Sequence, residues 1–478
     1  MISAESVGDI VKELVINANR RLPADVYAGL EAARGRESSQ TGRIILDIIM
    51  ENAALAASKG LPVCQDTGID VIFLELAPGT VVRGDLEQEI NRGVAEGTVG
   101  GYLRSSVCEP LSRKNSGNNT PAVIHVEYSG GPESRITVMP KGCGSENMSA
   151  LFMLPPSAGR RGIVEAVTAQ VRKAGPNPCP PGIVGVGIGG TMEKAALLSK
   201  KALLRPLGLK NPAQDVAELE TEMETAINAL GNGPQGLGGT VSCLGVAVET
   251  FPCHIASLPV AVNIQCHAAR RASASFINGR WSAEDIFFSH ATSESAAREM
   301  PGAKRLELPL NEDDISSLAP GDWVLLSGTA YTGRDQTHRK MIELLKNGQQ
   351  LPVELDGALV YYTGPSPAPP GMPVGSAGPT TSYRMDAYTP QILALGVKAV
   401  MGKGKRSQEV RSSLRSHGAV YLATLGGAGA CLAEKISSCE VAAFPELGPE
   451  ALFRMEFREF PAVVIIDRQG NDYYEKVL

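Results

Sequence analysis

Residues Asn177–Gly190 read NPCPPGIVGVGIGG and run straight into TMEKAALLSKKALL, Thr191–Leu204. Ile183–Ile188 is a short apolar run bounded by proline and glycine, the signature of a strand buried on both faces. The residues after Thr191 carry the composition of a helix, so the junction is strand, tight turn, helix, the repeating step of an α/β protein. Gly185, Gly187 and Gly190 also satisfy GxGxxG. A dinucleotide site needs a second strand ending in an acidic residue about twenty positions on, where this chain has GLKNPAQ, Gly208–Gln214. A dinucleotide-binding oxidoreductase is therefore the alternative of a different class. A glycine-rich turn presenting a helix N-terminus to an anion accounts for the same residues.

Outward from that junction the pattern stays mixed. The first sixty residues carry apolar positions at helical spacing, among them Ile10, Val11, Leu14, Val15, Ile44, Ile45, Ile48 and Ile49. Strands are predicted at 69–76, 121–129 and 135–141, the last two joined by a turn at Gly130–Gly131. Helices are predicted at 85–96, 162–173 and 215–230, and further strands within 241–248 and 256–264. Between Arg280 and Leu308 the periodicity breaks down in small, polar and charged residues, as a linker does. Beyond it strand and helix alternate to the end, around a Gly/Pro-rich loop at 365–379. The expected architecture is α/β in two domains, 1–285 and 306–478, joined by a linker at 286–305.

Composition narrows the function classes. With 478 residues the chain is too long for one ordinary core, at roughly 150 residues per domain. A formal net charge of -6 argues against a nucleic-acid surface, which needs a basic footprint. Its uncharged stretches are too rich in glycine and proline to span a bilayer. Glu5 and Asp9 fall where a secretion signal needs a basic and then apolar stretch. Nine cysteines then belong to a reducing compartment, and the expected location is cytoplasmic.

Four segments set polar or thiol side chains between glycines and prolines: PVCQDTG (62–68), NPCPPGIVGVGIGG (177–190), FPCHIASLPVAVNIQCH (251–267) and GPTTSYRMD (378–386). Loops that need rigid φ and close backbone approach have this composition. Cys64, Cys179 and Cys266 each stand at an irregular break beside a strand, 115 and 87 residues apart, with no CxxC pair. That spacing disfavours a zinc knuckle. It leaves open an iron–sulfur cluster held by three thiolates with one iron free, and a cysteine nucleophile, Cys64 or Cys253, with His254 or His267 as base. Thr380, Thr381 and Arg384, with the separate GKGK at 402–405, supply the fork and point charge that capture of a small polyanion requires.

Taken together the segments resemble the class I, iron–sulfur-dependent fumarate hydratases and the related L-tartrate dehydratases. CQDTG, GSENMS, CPPGIVGVGIGG, His254 followed twelve residues later by Cys266, SGTAYTGRDQTH, GPTTSYRMD and GKG occur in the family's order. The first part resembles the α subunit of two-subunit members and the part from about 305 their β subunit, fused in one chain. The resemblance implies a [4Fe–4S] cluster on Cys64, Cys179 and Cys266, with one iron open to substrate. It implies a substrate pocket from Gln65, Asp66, Arg104, His254, Arg334, Arg384 and Lys403, with Thr380 as catalytic base and Asp66 able to donate or relay a proton. It further implies a cluster-binding N-terminal domain, a swivelling β/β/α C-terminal domain, a homodimer, and a small dicarboxylate substrate. The implied reaction is reversible hydration of fumarate to (S)-malate, with tartrate dehydration or mesaconate hydration as alternatives. Cys143 departs from the family pattern, standing where members often carry glycine, and Ser382 and Tyr383 stand where smaller residues are common.

Overall fold

The computed structural model describes residues 1–289, 300 and 302–477. Three helices open the chain, Ala4–Arg20, Ala24–Arg36 and Gln40–Lys59, the third capped by the Ser39 hydroxyl accepting from Gly42 N–H. They cover a five-stranded sheet in the order 280–283, 272–277, 134–141, 69–76, 123–128. A four-stranded sheet follows, in the order 150–154, 258–265, 182–189, 243–251. The C-terminal part builds a seven-stranded sheet in which Trp323–Thr332 and Val420–Ala423 both pair with the long strand Leu452–Ile466, so the sheet closes on itself. This is a two-domain α/β protein. Among the described residues no helix is long and apolar enough to cross a membrane.

Strand register decides where the functional loops meet. Ile69 pairs with Lys141, so the CQDTG turn before one strand and the KGCGS turn after the other emerge at the same sheet end. Ile183 pairs with Gln265, which brings the residue before one strand, Cys179 in its turn, to the residue after the other, Cys266. In the C-terminal sheet Thr332 pairs with Tyr361, Tyr361 with Met401 and Gly402 with Ala423, all parallel. The loops carrying Arg334, Thr380, Lys403 and Gly426 therefore all leave the carboxyl ends of parallel strands, the usual ligand edge of such sheets.

The central strand, Gly182–Gly189, is buried at all eight positions. Its glycines pack the following helix: a Cβ on Gly185 would lie 2.2 Å from Ser199 O, and one on Gly187 2.0 Å from Ala195 O. Close strand-to-helix approach is thus what GxGxxG achieves here. Val123–Tyr128 and Ser134–Lys141 are not neighbours across the Gly130–Gly131 turn; Ile69–Leu76 lies between them, parallel to the first and antiparallel to the second. Ile69–Leu76 is buried along most of its length and takes the centre, while 123–128, exposed at Val123, Val126 and Tyr128, takes the edge.

The two halves share one apolar core, with Leu22, Ile45 and Ile49 clustering with Met341, Val360 and Ile465. Phe288 still stacks on Tyr27, and Lys304 already begins a strand of the C-terminal sheet. Residues 290–299 and 301, the middle of the expected linker, lie outside the described residues.

Candidate functional site

A cavity of about 710 Å³ opens between the halves. Cys64, Gln65, Asp66, Arg104, Cys179, Cys266, Arg334, Thr380, Arg384 and Lys403 all line it. Ten of the eleven residues expected at the site are therefore brought together from seven separate segments. His254 stands apart from them within the chain: it is exposed at the turn between strands 243–251 and 258–265, its Nδ1 accepts from Ala256 N–H at 3.1 Å, and it lines a different cavity beside Cys253 and Asp215. A turn between two strands of the other sheet cannot reach this cavity within the chain.

Eight Arg and Lys side chains line the main cavity against four Asp and Glu. The local field is positive although the chain carries -6. Asp66 Oδ1 accepts from Arg104 Nη2 at 2.7 Å, and its Oδ2 accepts from Cys143 N–H at 3.0 Å. Burial alone would raise this carboxyl; Arg104, Arg270, Arg334 and Lys403 outweigh it and hold it at about 2. Arg104 is itself buried and also donates to Gly364 O at 2.9 Å, across the interface. On the opposite wall the Thr380 hydroxyl accepts from Arg384 Nη2. Arg334 and Arg384 each keep a buried Nε without a partner, donors of the kind an absent anion would satisfy.

The floor is sulfur. Cys64 and Cys179 are buried, Cys266 half-buried, and all nine cysteines are free thiols. Burial raises the Cys64 thiol, opposed by Arg270, and pushes Cys179 up to about 11, opposed by Lys403, whose Nζ donates to Cys179 Sγ at 2.7 Å. Lys403 would be lowered by burial, but the sulfurs of Cys179, Cys64 and Cys266 outweigh this and raise it. Cys179 has φ 57, a strained value for a residue with a side chain and common at functional positions. Three thiols with cations beside them, converging from remote loops, fit a sulfur-ligated cluster that leaves one position free, and Cys108 and Cys143 line the same cavity. Among the described residues no three His, Cys, Asp or Glu close on a single ion.

A Cys64 nucleophile finds no free base in His267. Buried His267 turns Nε2 to Gly426 O at 2.8 Å, and burial lowers its pKa to about 4. Several residues at the site escaped the sequence reading. Arg270 donates to Asp66 O at 2.7 Å and to Asn19 Oδ1 at 3.0 Å. Its signal was available, an arginine four residues past Cys266 in otherwise small apolar sequence. Arg113, Lys114 and Arg339 at the cavity mouth carried none.

Fold and site together define a two-part α/β enzyme whose cleft takes a small polyanion above a thiol-rich floor. The family model for fumarate hydratase (Fumerase) matches residues 8–275, and that for the fumarase C-terminus matches 282–477. A putative class I fumarate hydratase of Geobacillus stearothermophilus is 31% identical over 99% of this chain and 96% of its own length. The aerobic class I fumarate hydratase of Escherichia coli K12 is 32% identical over 95% of this chain and 87% of its own. A putative L(+)-tartrate dehydratase subunit alpha of Methanocaldococcus jannaschii is 43% identical, covering 56% of this chain and 96% of the relative. The chain belongs to the class I fumarate hydratase family and is a hydro-lyase.

Proposed function

We propose that this enzyme reversibly adds water to fumarate to give (S)-malate, using a [4Fe–4S] cluster on Cys64, Cys179 and Cys266. The observation that carries the reading is the convergence of the Thr380–Arg384 and Asp66–Arg104 pairs on one cavity floored by three thiols. When bound, the cluster supplies a Lewis-acidic iron for the substrate's oxygens. The chain's own groups do the rest. Arg334 and Arg384, which line the cavity, bind the substrate carboxylates and spread the charge that develops when the carbon-bound proton leaves. Lys403 neutralises charge at the floor. Thr380 is a weak base as a neutral alcohol, and the guanidinium hydrogen-bonded to its oxygen favours the alkoxide it must become. Asp66, a carboxylate at neutral pH, relays a proton from incoming water to solvent in the hydration direction while Thr380 is reprotonated from solvent, and the same transfers run in reverse in dehydration.

The 43% identity of the N-terminal part to a putative tartrate dehydratase subunit favours L-tartrate as a second substrate reading. Malate and tartrate differ by one hydroxyl, and a site built to bond that hydroxyl would reject malate strongly. Dehydration of malate, tartrate and citramalate, assayed side by side after anoxic cluster reconstitution, tests both. Malate turnover far above the others is expected; turnover of tartrate alone overturns the fumarate assignment and keeps the site chemistry. The free thiols and the family resemblance support a cytoplasmic homodimer with a swivelling C-terminal domain, within our proposal.

A further inference from the structure

The three thiols sit on loops with no sequence proximity, yet the residue beside each is tied to one turn of the other half, Gly426–Gly427. For Cys64 the tie is Asn52, fully buried, whose Nδ2 donates to Val63 O at 2.9 Å and to Gly427 O at 3.1 Å. The Asn52 Oδ1 in turn accepts from Cys431 N–H at 3.0 Å. For Cys179 it is Gln235, whose N–H donates to Pro180 O at 2.7 Å. Its side chain exchanges two bonds with Gly426, Nε2 to O at 3.1 Å and backbone N–H to Oε1 at 3.0 Å. For Cys266 it is the adjacent His267, with Nε2 at 2.8 Å from Gly426 O.

The turn has no room for a side chain. A Cβ on Gly426 would stand 2.3 Å from Cys179 Sγ and 2.9 Å from Lys403 Cδ. One on Gly427, at φ 77, would stand 2.5 Å from the His267 ring. Bare backbone is what lets two carbonyls and one amide of this turn serve three neighbours at once. Several ligands must be held to fractions of an ångström for a polynuclear group to bind firmly, and buried bonds to their neighbours do this.

We propose that the Gly426–Gly427 turn is the keystone of the cluster site: it fixes the spacing of the three thiols, so cluster retention depends on the docked C-terminal half, which supplies no ligand. The proposal rests on the cluster reading above. It makes Asn52, Gln235 and the two glycines positioning residues, acting on the cofactor through the backbone of its ligands.

The test uses the full chain reconstituted under anoxia, as wild type, Gly426→Ala, Gln235→Glu and Gly130→Ala. Gly130 has open space around it and serves as control. Gln235→Glu keeps shape and acceptor but loses the donor to Gly426 O. Iron and acid-labile sulfide per chain are measured, then the rate of iron loss to a chelator is followed by visible absorbance, with the unfolding temperature of each cluster-free protein alongside. Iron loss about ten-fold faster or more is expected from Gly426→Ala and Gln235→Glu, at unchanged cluster-free unfolding temperature for Gln235→Glu, with the control like wild type. Should Gly426→Ala not fold, Gln235→Glu alone decides. Wild-type retention in Gln235→Glu overturns the keystone while leaving the cluster reading intact. A wild-type chain that takes up no iron or sulfide overturns both.

Discussion

Thr380 is an alcohol placed where a base is needed, and only its neighbour makes that workable. Removing the hydroxyl by Thr380→Ala is expected to lower kcat by about 10²- to 10⁴-fold. KM for malate and the iron content should stay near wild type, because Arg334, Arg384 and the thiols remain; steady-state kinetics and iron analysis check this. Asp70 is a buried carboxyl one strand position past Ile69, whose Oδ2 accepts from Asn119 Nδ2 at 3.1 Å while Oδ1 has no partner. Burial raises it to about 7, with Asn119 and Arg270 opposing. Its folded pKa lies above its unfolded value, so its contribution is full below about 4 and is lost as pH rises through about 7. Asp70→Asn should therefore flatten the decline in stability between those limits, seen in denaturant midpoints measured across the range. At this scale the sequence was most legible where a motif sets residues close together, as Asp66 beside Cys64 or Arg384 four residues after Thr380. It was least legible at His254, which nine strand residues carry to the far end of the sheet from Cys266.

Elements were legible in proportion to their burial. Ile69–Leu76 and Gly182–Gly189 read directly because both faces are apolar, and Ala24–Arg36 read as helix although few of its positions are buried. Short or polar strands did not read: Ala150–Leu154, Arg280–Ala283 and Ile436–Ala443 carry exposed edges and owe their state to pairing. The glycine-rich junction offers a decisive contrast between packing and nucleotide binding. Gly187→Ala would drive a methyl into the backbone of helix Met192–Ala202, and a loss of roughly 1–3 kcal/mol or more is expected from such overpacking. Gly35→Ala, in open space within helix Ala24–Arg36, should instead stabilise by roughly 0.4–1 kcal/mol. Chemical denaturation measures both; a Gly187→Ala protein of unchanged stability would contradict the packing role.

Across the molecule, charge is arranged against its own average. A protein of net charge -6 presents a cleft with twice as many cationic as anionic side chains, and a dianionic substrate is drawn in by a field that salt screens. Raising ionic strength from ~0.01 M to ~0.5 M shortens the screening length severalfold. kcat/KM should fall accordingly, with kcat little changed, and neutralising Arg113 and Lys114 together to Gln should weaken that dependence. The cleft could not be read as a whole from sequence, because its two walls come from separate halves and are joined by ties such as Gln65 Nε2 to Pro379 O at 3.0 Å, 314 residues apart.

Those ties carry one more implication. The contacts that seat one half on the other, from Arg104 to Gly364 and from Ser376 to Pro62, are made by groups remote from the stretch between Phe288 and Lys304. Peptide continuity raises the local concentration of one half for the other. A protein cleaved at that stretch, or expressed as two polypeptides, should reassemble into a noncovalent pair that still turns over substrate, with activity that fades on dilution.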